Sequence, residues 1–286
     1  MREKNYVMNQ EDFQQMMPVF RTAWGTVLLK FLMKIVGIKR INELYAHSCD
    51  KEGTAFTASI LRELQVTYTI DRRQILEQLP AGGFITVSNH PYGALDGIIL
   101  IDLIASKRSD YRVMVNKILE NVTSMSNHFI GVVPPSGSTQ IDSRSMSGLK
   151  AAMRHIREGH PLGFFPAGAV ARYDWRLCVS EQSWQSSVIR FIQRAKVPVI
   201  PIYFHGHNSA LYNSIGLLSW RLRSLRLPKE IFNKKGKTFR VSIGDPILPV
   251  ELEKFDKVAD LSRFLKKRTL EIGQKKKQNR KYRIYL

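Results

Sequence analysis

Short apolar runs alternate with amphipathic segments along most of this chain. The runs at 84–88, 162–165 and 197–204 are rich in apolar residues over the length of one buried strand. The segments at 149–158 and 186–195 instead repeat apolar residues at the spacing of a helix face. Strands that alternate with helices predict an α/β fold, with a largely parallel or mixed β-sheet flanked by helices. Ligands of such sheets bind at the carboxyl ends of the strands, so we expect the chemistry there.

The same patterns predict further elements in the first half of the chain. Residues 52–65 and 98–104 are expected to be helices, and residues 66–70 and 111–115 are expected to be strands. Neither an internal repeat nor a linker interrupts the pattern. We therefore expect one domain over 1–286, with an N-terminal helical segment over 1–70, a catalytic α/β core over 84–250 and a basic tail over 266–286.

The segment 17–38 is apolar and aromatic but is interrupted by Arg21, Lys30 and Lys34. A membrane-spanning helix needs about 20 predominantly apolar residues, and here the charges recur too often. One interpretation is a helix that lies in a membrane interface while its lysines reach towards the aqueous side. The alternative is an ordinary helix packed against the core, and the sequence leaves both interpretations open.

The composition is that of a globular protein, with 44% hydrophobic and 10% aromatic residues over 286 positions. The two cysteines, Cys49 and Cys178, form no CxxC motif and offer no disulfide framework, so a reducing compartment is expected. The first residues lead into a polar stretch and do not resemble a secretory signal.

The chain is strongly basic, because 44 Lys and Arg outnumber 24 Asp and Glu to give a net charge of +20. Such an excess calls for a polyanionic partner: nucleic acid, an anionic membrane surface or an acidic carrier protein. No zinc-ligand spacing, helix-turn-helix signature or RNP-like motif is present, which makes nucleic acid unlikely. The segment 219–228 mixes Trp and Leu with arginines, as an element in a membrane interface or a packed helix with solvated arginines would.

The stretch 85–97 carries the strongest chemical signal. Asn89 and His90 follow an apolar strand, a bend containing Pro and Gly comes next, and Asp96 opens an apolar helix. A carboxylate within reach of an imidazole fixes its tautomer and leaves the second nitrogen free as a base. Asp96 is equally suited to cap the helix that begins beside it, and both roles are compatible.

A second strand end, at 163–172, places a glycine-containing turn beside Arg172. Backbone N–H groups there, together with this arginine, are suited to an anionic head group, although a solvated arginine is the simpler interpretation. The sequence has no GxSxG nucleophile motif, so we expect the substrate's own hydroxyl or amine to be activated for attack. His205 and His207 are interpreted as polar lining of the site, and no metal is implied.

Three short blocks occur in the order in which a known enzyme family carries them. They are Asn89-His90 with Asp96, Phe165-Pro166 and Gly168 with Arg172, and Val197-Pro198-Val-Ile-Pro201. On these blocks the chain resembles the glycerolipid (lysophospholipid) acyltransferase family, which transfers a fatty acyl group from acyl-carrier protein or acyl-CoA to a lipid hydroxyl. Gly131-Val-Val with Arg144 falls where the second block of the family lies. The resemblance covers 84–204 and extends through 241–247.

The chain departs from the family pattern at three positions. Five residues separate His90 from Asp96 where the family has four, and Gly93 is suited to absorb the extra residue. The stretch from Phe165 to Arg172 corresponds to the third block of the family. In it, Ala167 replaces the glutamate of that block, and Val170 replaces the first arginine of that block. These features resemble the branch of ornithine- and glycine-lipid O-acyltransferases, whose acceptor is an N-acylated amino acid with a 3-hydroxy acyl chain.

The resemblance implies a membrane-associated O-acyltransferase that uses acyl-ACP or acyl-CoA as co-substrate and needs no cofactor. Catalysis is expected from His90 and Asp96. The residues expected to bind substrate are Asn89, Gly93, Arg144, Pro166, Gly168 and Arg172. The expected location is the cytoplasmic face of the cell membrane, with peripheral or monotopic attachment. Three alternatives remain: acylation of 1-acyl-glycerol-3-phosphate to phosphatidic acid, a basic nucleic-acid-binding protein, and an inactive lipid-binding relative.

Overall fold

The computed structural model describes residues 5–133 and 143–274; the side chains of 16 and 143–146 are not described. The Arg144 side chain and the end of the predicted basic tail, 275–286, thus lie outside the described residues. The helices are α1 (Gln10–Met16), α2 (Ala23–Val36), α3 (Ile38–Ala46), α4 (Gly53–Glu63), α5 (Ala94–Ala105), α6 (Ser143–Arg157), α7 (Ser186–Ala195), α8 (Ala210–Leu218), α9 (Trp220–Glu230), α10 (Pro249–Leu252) and α11 (Val258–Gln274). The strands are β1 (Thr67–Asp71), β2 (Ile85–Ser88), β3 (Arg112–Asn116), β4 (Phe129–Val132), β5 (Leu162–Phe164), β6 (Arg172–Tyr173), β7 (Val179–Ser180), β8 (Val199–Phe204) and β9 (Thr238–Ile243).

Seven strands form one mixed sheet in the order β1-β9-β8-β2-β5-β3-β4. Strands β8, β2, β5, β3 and β4 are parallel to one another, whereas β9 is antiparallel to β8 and parallel to β1. Strands β6 and β7 form a separate antiparallel hairpin. The α/β fold with a largely parallel, mixed sheet is therefore confirmed.

Helices cover both faces of the sheet, and alternate residues of each strand supply the two cores. On β2 and just before it, Phe84 packs with the core under α4 and α5, while Ile85 and Val87 pack with the core under α6, α7 and α11. This alternation follows from the pleat of a strand, whose successive side chains point to opposite faces. Strand β2 lies centrally, between β5 and β8, and is entirely buried.

The N-terminal part is helical, as the sequence predicts. Helix α2 begins after Thr22, whose hydroxyl accepts the N–H of Gly25, and ends at Gly37, which adopts a left-handed conformation (φ +79°). It buries only Gly25 and Leu29. No helix in the described part of the chain is long and apolar enough to cross a bilayer.

Candidate active site

Three loops meet at one edge of the sheet because β2, β5 and β8 are parallel neighbours. The loop after β2 carries Asn89 and His90, the loop after β5 begins at Phe165, and the loop after β8 begins at His205. Two of the sequence blocks that resemble the acyltransferase family, those at His90 and Phe165, therefore lie together in space, whereas Val197-Pro198-Val-Ile-Pro201 forms the start of β8 at the opposite end of the strands. This is the edge at which parallel sheets bind their ligands.

His90 and Asp96 form the pair that the sequence predicts. Nδ1 of His90 lies 2.9 Å from Oδ2 of Asp96, whose side chain is fully buried. The imidazole is 19% exposed, and its Nε2 has no hydrogen-bond partner within the described part of the chain. A carboxylate that accepts from Nδ1–H leaves Nε2 unprotonated and available as a base.

Asp96 also organises the turn that carries His90. Its Oδ2 accepts the backbone N–H groups of Tyr92 at 2.8 Å and Gly93 at 3.0 Å, so both roles predicted for Asp96, helix cap and imidazole partner, are seen in the geometry. Burial raises the pKa of Asp96, and the hydrogen bonds from His90 and the two amides oppose that effect. The second oxygen, Oδ1, is buried and has no partner among the described residues.

Gly93 provides the conformation that the longer His90–Asp96 spacing requires. Its φ is +92°, a region that residues with a Cβ rarely adopt. A Cβ added here would also lie 3.0 Å from Cδ1 of Leu227 in α9. The glycine is therefore needed twice, for the backbone turn and for the close approach of α9.

Asn89 joins the ends of β2 and β8. Its side-chain Oδ1 accepts the N–H of Phe204 at 2.7 Å, and its Nδ2 donates to the carbonyl of Phe204 at 2.9 Å. Both ends of the buried amide are thus used within the protein. This geometry gives Asn89 an orienting contact on the His90 loop.

The loop after β5 packs directly on His90. The Phe165 ring stacks on the imidazole with centroids 4.3 Å apart, and the N–H of Ala171 donates to the carbonyl of His90 at 2.9 Å. Pro166 is buried and its carbonyl accepts the N–H of Gln185, while Gly168 is exposed with φ +63°. Arg172 begins β6 with an exposed side chain, one residue beyond the amide that contacts the His90 loop.

A half-buried glutamate, Glu181, lies behind His90 and is absent from the predicted site. Its Oε2 accepts the backbone N–H of His90 at 3.1 Å, and its Oε1 is buried without a partner among the described residues. Burial raises the pKa of Glu181 to about 7, and the charges of His90 and Lys266 act in the opposite direction. The 91-residue separation from His90 gives no local signal, so the sequence could not reveal this contact.

Helix α9 is hydrogen-bonded to the loop after β5. The buried guanidinium of Arg223 donates to the carbonyl of Ala171 at 3.2 Å and to that of Val170 at 3.4 Å. Two further buried charges at its C-terminal end, Glu230 and Lys234, pair at 3.5 Å. The sequence predicts 219–228 only as a segment that mixes apolar residues with arginines, and it does not reveal that Arg223 binds the loop after β5.

The two histidines after β8 have separate partners. Nε2 of His205 lies 2.7 Å from the hydroxyl of Ser242, and Nδ1 of His207 lies 2.7 Å from the carbonyl of Asn208. The Tyr92 hydroxyl donates to the carbonyl of His205, which ties this loop to the His90 turn. Within the described ranges, no group of His, Cys, Asp and Glu side chains is arranged to hold a metal ion.

Comparison with known proteins gives three further findings. The chain is 27% identical over 229 residues to a lyso-glycine lipid O-acyltransferase of Bacteroides thetaiotaomicron, covering 77% of this chain and 80% of that protein. It is 26% identical over 247 residues to a lyso-glycine lipid O-acyltransferase of Phocaeicola vulgatus, covering 84% and 85%. The crystal structure of the 1-acyl-sn-glycerophosphate acyltransferase PlsC from Thermotoga maritima has a similar fold, with a TM-score of 0.51, 14% identity and 96% coverage of both chains.

A family model described as Acyltransferase matches residues 14–277, which include every strand of the main sheet and all three loops of the site. The resemblance seen in the sequence blocks is thereby confirmed, and this chain belongs to the acyltransferase family.

Proposed function

We propose that this acyltransferase moves a fatty acyl group from an acyl thioester to the hydroxyl of a lysolipid, with His90 as general base. The observation that carries the proposal is the His90–Asp96 pair, in which a buried carboxylate holds Nδ1 and leaves Nε2 open on a partly exposed imidazole. The two relatives named as lyso-glycine lipid O-acyltransferases support the reaction class.

The reaction needs one proton acceptor and no protein nucleophile. Nε2 of His90 takes the proton of the acceptor hydroxyl while the hydroxyl oxygen attacks the carbonyl carbon of the thioester. The tetrahedral intermediate then expels the thiolate, which takes the proton back from His90. Asp96 stabilises the imidazolium that exists between these two steps. General base catalysis of this kind typically contributes ~10²–10⁴-fold to the rate.

We propose an N-acylated glycine or a related aminolipid as the acceptor. Such an acceptor presents a hydroxyl on its acyl chain and a carboxylate, without the phosphate of a glycerophospholipid. The third block lacks a carboxylate at Ala167, which is buried, and retains only Arg172 as an exposed cation. One arginine suits the single negative charge of a carboxylate. The donor is an acyl-ACP or an acyl-CoA, since both supply the thioester that this mechanism requires.

An apolar surface beside the site supports action at a membrane. We use this name for the exposed side chains of α2, α8 and α9: Trp24, Val27, Leu28, Phe31, Ile35, Leu211, Leu217, Leu218, Trp220 and Leu222. Trp24 is 87% exposed, Phe31 is 60% exposed and Trp220 is 65% exposed, values that are unusual for large apolar residues. Helices α2 and α8 both pack against α9, so the three helices form one layer.

Basic side chains accompany this apolar surface. Lys30, Lys34 and Arg221 are exposed on the same helices. Aromatic and leucine side chains beside lysines and arginines suit the headgroup region of an anionic leaflet. Because Leu227 of α9 lies against Gly93, a lipid surface on α9 would border the His90 turn. We therefore propose peripheral or monotopic attachment to the cytoplasmic face of the membrane.

Turnover by purified protein on vesicles tests the reaction and the acceptor together. The protein is incubated with acyl-ACP or acyl-CoA and with N-(3-hydroxyacyl)glycine or 1-acyl-glycerol-3-phosphate, and products are identified by mass spectrometry. We expect a diacylated glycine lipid from the native chain and none from His90→Ala, with equal thermal stability of the two proteins. Phosphatidic acid as the preferred product would replace the proposed acceptor. Turnover by His90→Ala close to that of the native chain would remove His90 as the base.

A further inference from the structure

The backbone of His90 is held by a carboxylate that the proposed mechanism does not use. Oε2 of Glu181 accepts the His90 N–H at 3.1 Å, while Nδ1 of the same residue contacts Asp96. A backbone amide is an ordinary hydrogen-bond donor that a carbonyl would satisfy. Burying a charged carboxylate there costs free energy that a neutral acceptor would not cost, which indicates a role for the charge.

The segment that carries Glu181 is fixed from the opposite side by α11. Nζ of Lys266 donates to the backbone carbonyls of Glu181 at 3.2 Å and Gln182 at 3.1 Å. Burial lowers the pKa of Lys266, and the charge of Glu181 opposes that effect. The N–H of Gln185 then binds the carbonyl of Pro166, which returns this segment to the loop after β5. Glu181 is therefore held in place independently of its contact with His90.

The charged and titratable groups that face Glu181 come from four elements. They are His90 on the loop after β2, Asp96 in α5, Tyr203 in β8 and Lys266 in α11. Asp96 disfavours the Glu181 anion, and the two cations favour it. Protonation of His90 thus stabilises ionised Glu181, and ionised Glu181 stabilises protonated His90 by the same amount, because the coupling of two charges is reciprocal.

We propose that Glu181 is a positioning residue for the general base: its ionised carboxylate holds the His90 backbone and stabilises the imidazolium formed during acyl transfer. This inference rests on the proposed function of His90. Asp96 and Glu181 then act on the same residue from two directions, one through the ring and one through the main chain. With the pKa of Glu181 near 7, the carboxylate changes its charge in the range in which a histidine base operates.

The pH dependence of turnover distinguishes this role from a purely structural one. If His90 must be unprotonated and a neutral Glu181 lowers the rate tenfold, log(kcat/KM) rises on the acidic side with a slope of up to about 1.5, because the ionisation of Glu181 adds a tenfold step to the slope of 1. In Glu181→Gln the amide oxygen still accepts the His90 N–H, but the charge is lost. We expect a slope near 1, a kcat about tenfold lower and a KM for the acceptor within about twofold of the native value. The matched control is Glu253→Gln, which removes an exposed glutamate and is expected to leave kcat and the slope unchanged.

A second measurement observes the His90 ring directly, in protein that is not turning over substrate. In 15N-histidine NMR, the chemical shifts of the His90 ring in the native protein are expected to respond to the ionisation of Glu181. In Glu181→Gln that response is expected to be absent. If Glu181→Gln does not fold, Lys266→Met replaces it. Loss of that cation raises the pKa of Glu181, so the acidic limb is expected to move to higher pH.

The outcomes separate this inference from the proposed base. A native kcat and the native slope in Glu181→Gln, while His90→Ala is inactive, would overturn the role of Glu181 alone. A loss confined to the KM of the acceptor would place Glu181 in substrate binding and would overturn it as well. If His90→Ala kept full turnover, the proposed base and this inference would both be wrong.

Discussion

The backbone amide of Ala171 donates to the carbonyl of His90 at 2.9 Å. This bond joins the loop after β5 to the loop after β2, although about 80 residues separate them along the chain. Arg223 of α9 in turn donates to the carbonyl of Ala171. The proposed base, the third sequence block and a helix of the apolar surface are therefore connected by consecutive hydrogen bonds.

The first prediction concerns this connection. Arg223→Met keeps the length of the side chain but leaves the carbonyls of Val170 and Ala171 without their donors. We expect a loss of about 1–3 kcal/mol in the free energy of unfolding, because the bonds to a charged donor are buried. Turnover is expected to fall about tenfold or more, since a small displacement of a catalytic loop is costly. Urea unfolding and initial rates measure both effects, with Arg190→Met, an exposed arginine of α7, as the control.

Asp96→Asn tests the negative charge that Asp96 places beside His90. Asparagine preserves the size of the side chain and an oxygen for the Tyr92 and Gly93 amides, but it is neutral. Without the anion, the imidazolium formed during transfer loses its partner, and we expect kcat to fall by about 10²–10⁴. The measurement is kcat with saturating donor and acceptor, beside a thermal unfolding curve. A folded variant with more than a tenth of native kcat would contradict the proposed role of Asp96.

Gly93→Ala and Gly97→Ala form a matched pair only four positions apart. At Gly93 the alanine meets both a φ of +92° and Leu227, so we expect about 1–3 kcal/mol of destabilisation and reduced kcat. At Gly97, inside α5, a Cβ meets nothing within 4 Å beyond its chain neighbours and the backbone of its own helix, and alanine is expected to stabilise by about 0.5–1 kcal/mol. Chemical unfolding of both variants checks the sign. Equal effects would mean that the turn does not depend on the glycine.

The pH dependence of stability reports on Glu181. Its pKa is near 7 in the folded protein and 4.5 as the reference value, so the folded state binds this proton more tightly. The contribution of protonated Glu181 to the free energy of unfolding is fully present below pH 4.5 and is lost as the pH rises through 7, by roughly 3 kcal/mol. In Glu181→Gln this loss of stability with rising pH is absent, because the glutamine side chain does not titrate. We expect its stability relative to the native protein to increase between pH 5 and pH 8, as measured by urea unfolding at each pH. A difference that is constant with pH would mean that the carboxyl titrates normally.

Flotation with vesicles tests the apolar surface. Trp24 and Phe31 lie seven positions apart on one stripe of α2, and both are exposed. Removing both side chains in Trp24→Ala/Phe31→Ala is expected to weaken binding to anionic vesicles by about thirty- to a thousandfold, at about 1–2 kcal/mol per side chain. The control is Leu248→Ala/Val250→Ala, two exposed apolar residues beyond Ile247, which pairs with the start of β8 at the opposite edge of the sheet from the site. Equal binding of the two double variants would place the membrane contact elsewhere.

Local sequence signals predict much of the fold and the centre of the site. The apolar runs predict the buried strands β2, β5 and β8, and the short spacing from His90 to Asp96 places both groups on one turn. The sequence does not predict strand β4, because the strand has four residues and only one of them is buried. Helix α5 begins at Ala94, four residues before the predicted start, because Asp96 binds the amides of the preceding turn.

Contacts between distant parts of the chain account for what the sequence does not predict. Glu181 and Arg223 reach the loops of the candidate site over 91 and 52 residues, and neither belongs to a pattern that marks it beforehand. Their positions depend on the hairpin β6–β7 and on the packing of α9. The sequence also does not decide how 17–38 is used. The same amphipathic pattern suits a helix whose apolar face packs against the core and a helix whose apolar face lies in a membrane interface.

The double contact of Asn89 has a consequence for the dynamics of the sheet. A side-chain amide that donates to the carbonyl and accepts from the N–H of one residue acts as an additional rung of the ladder, beyond the last backbone pair of β2 and β8. Strand ends normally fray, and their amide protons exchange with solvent within the local opening time. The amide proton of Phe204 should instead exchange as slowly as those in the middle of β8. The turn carrying His90 would then leave from a fixed point, and its motion would be limited to the residues after Asn89.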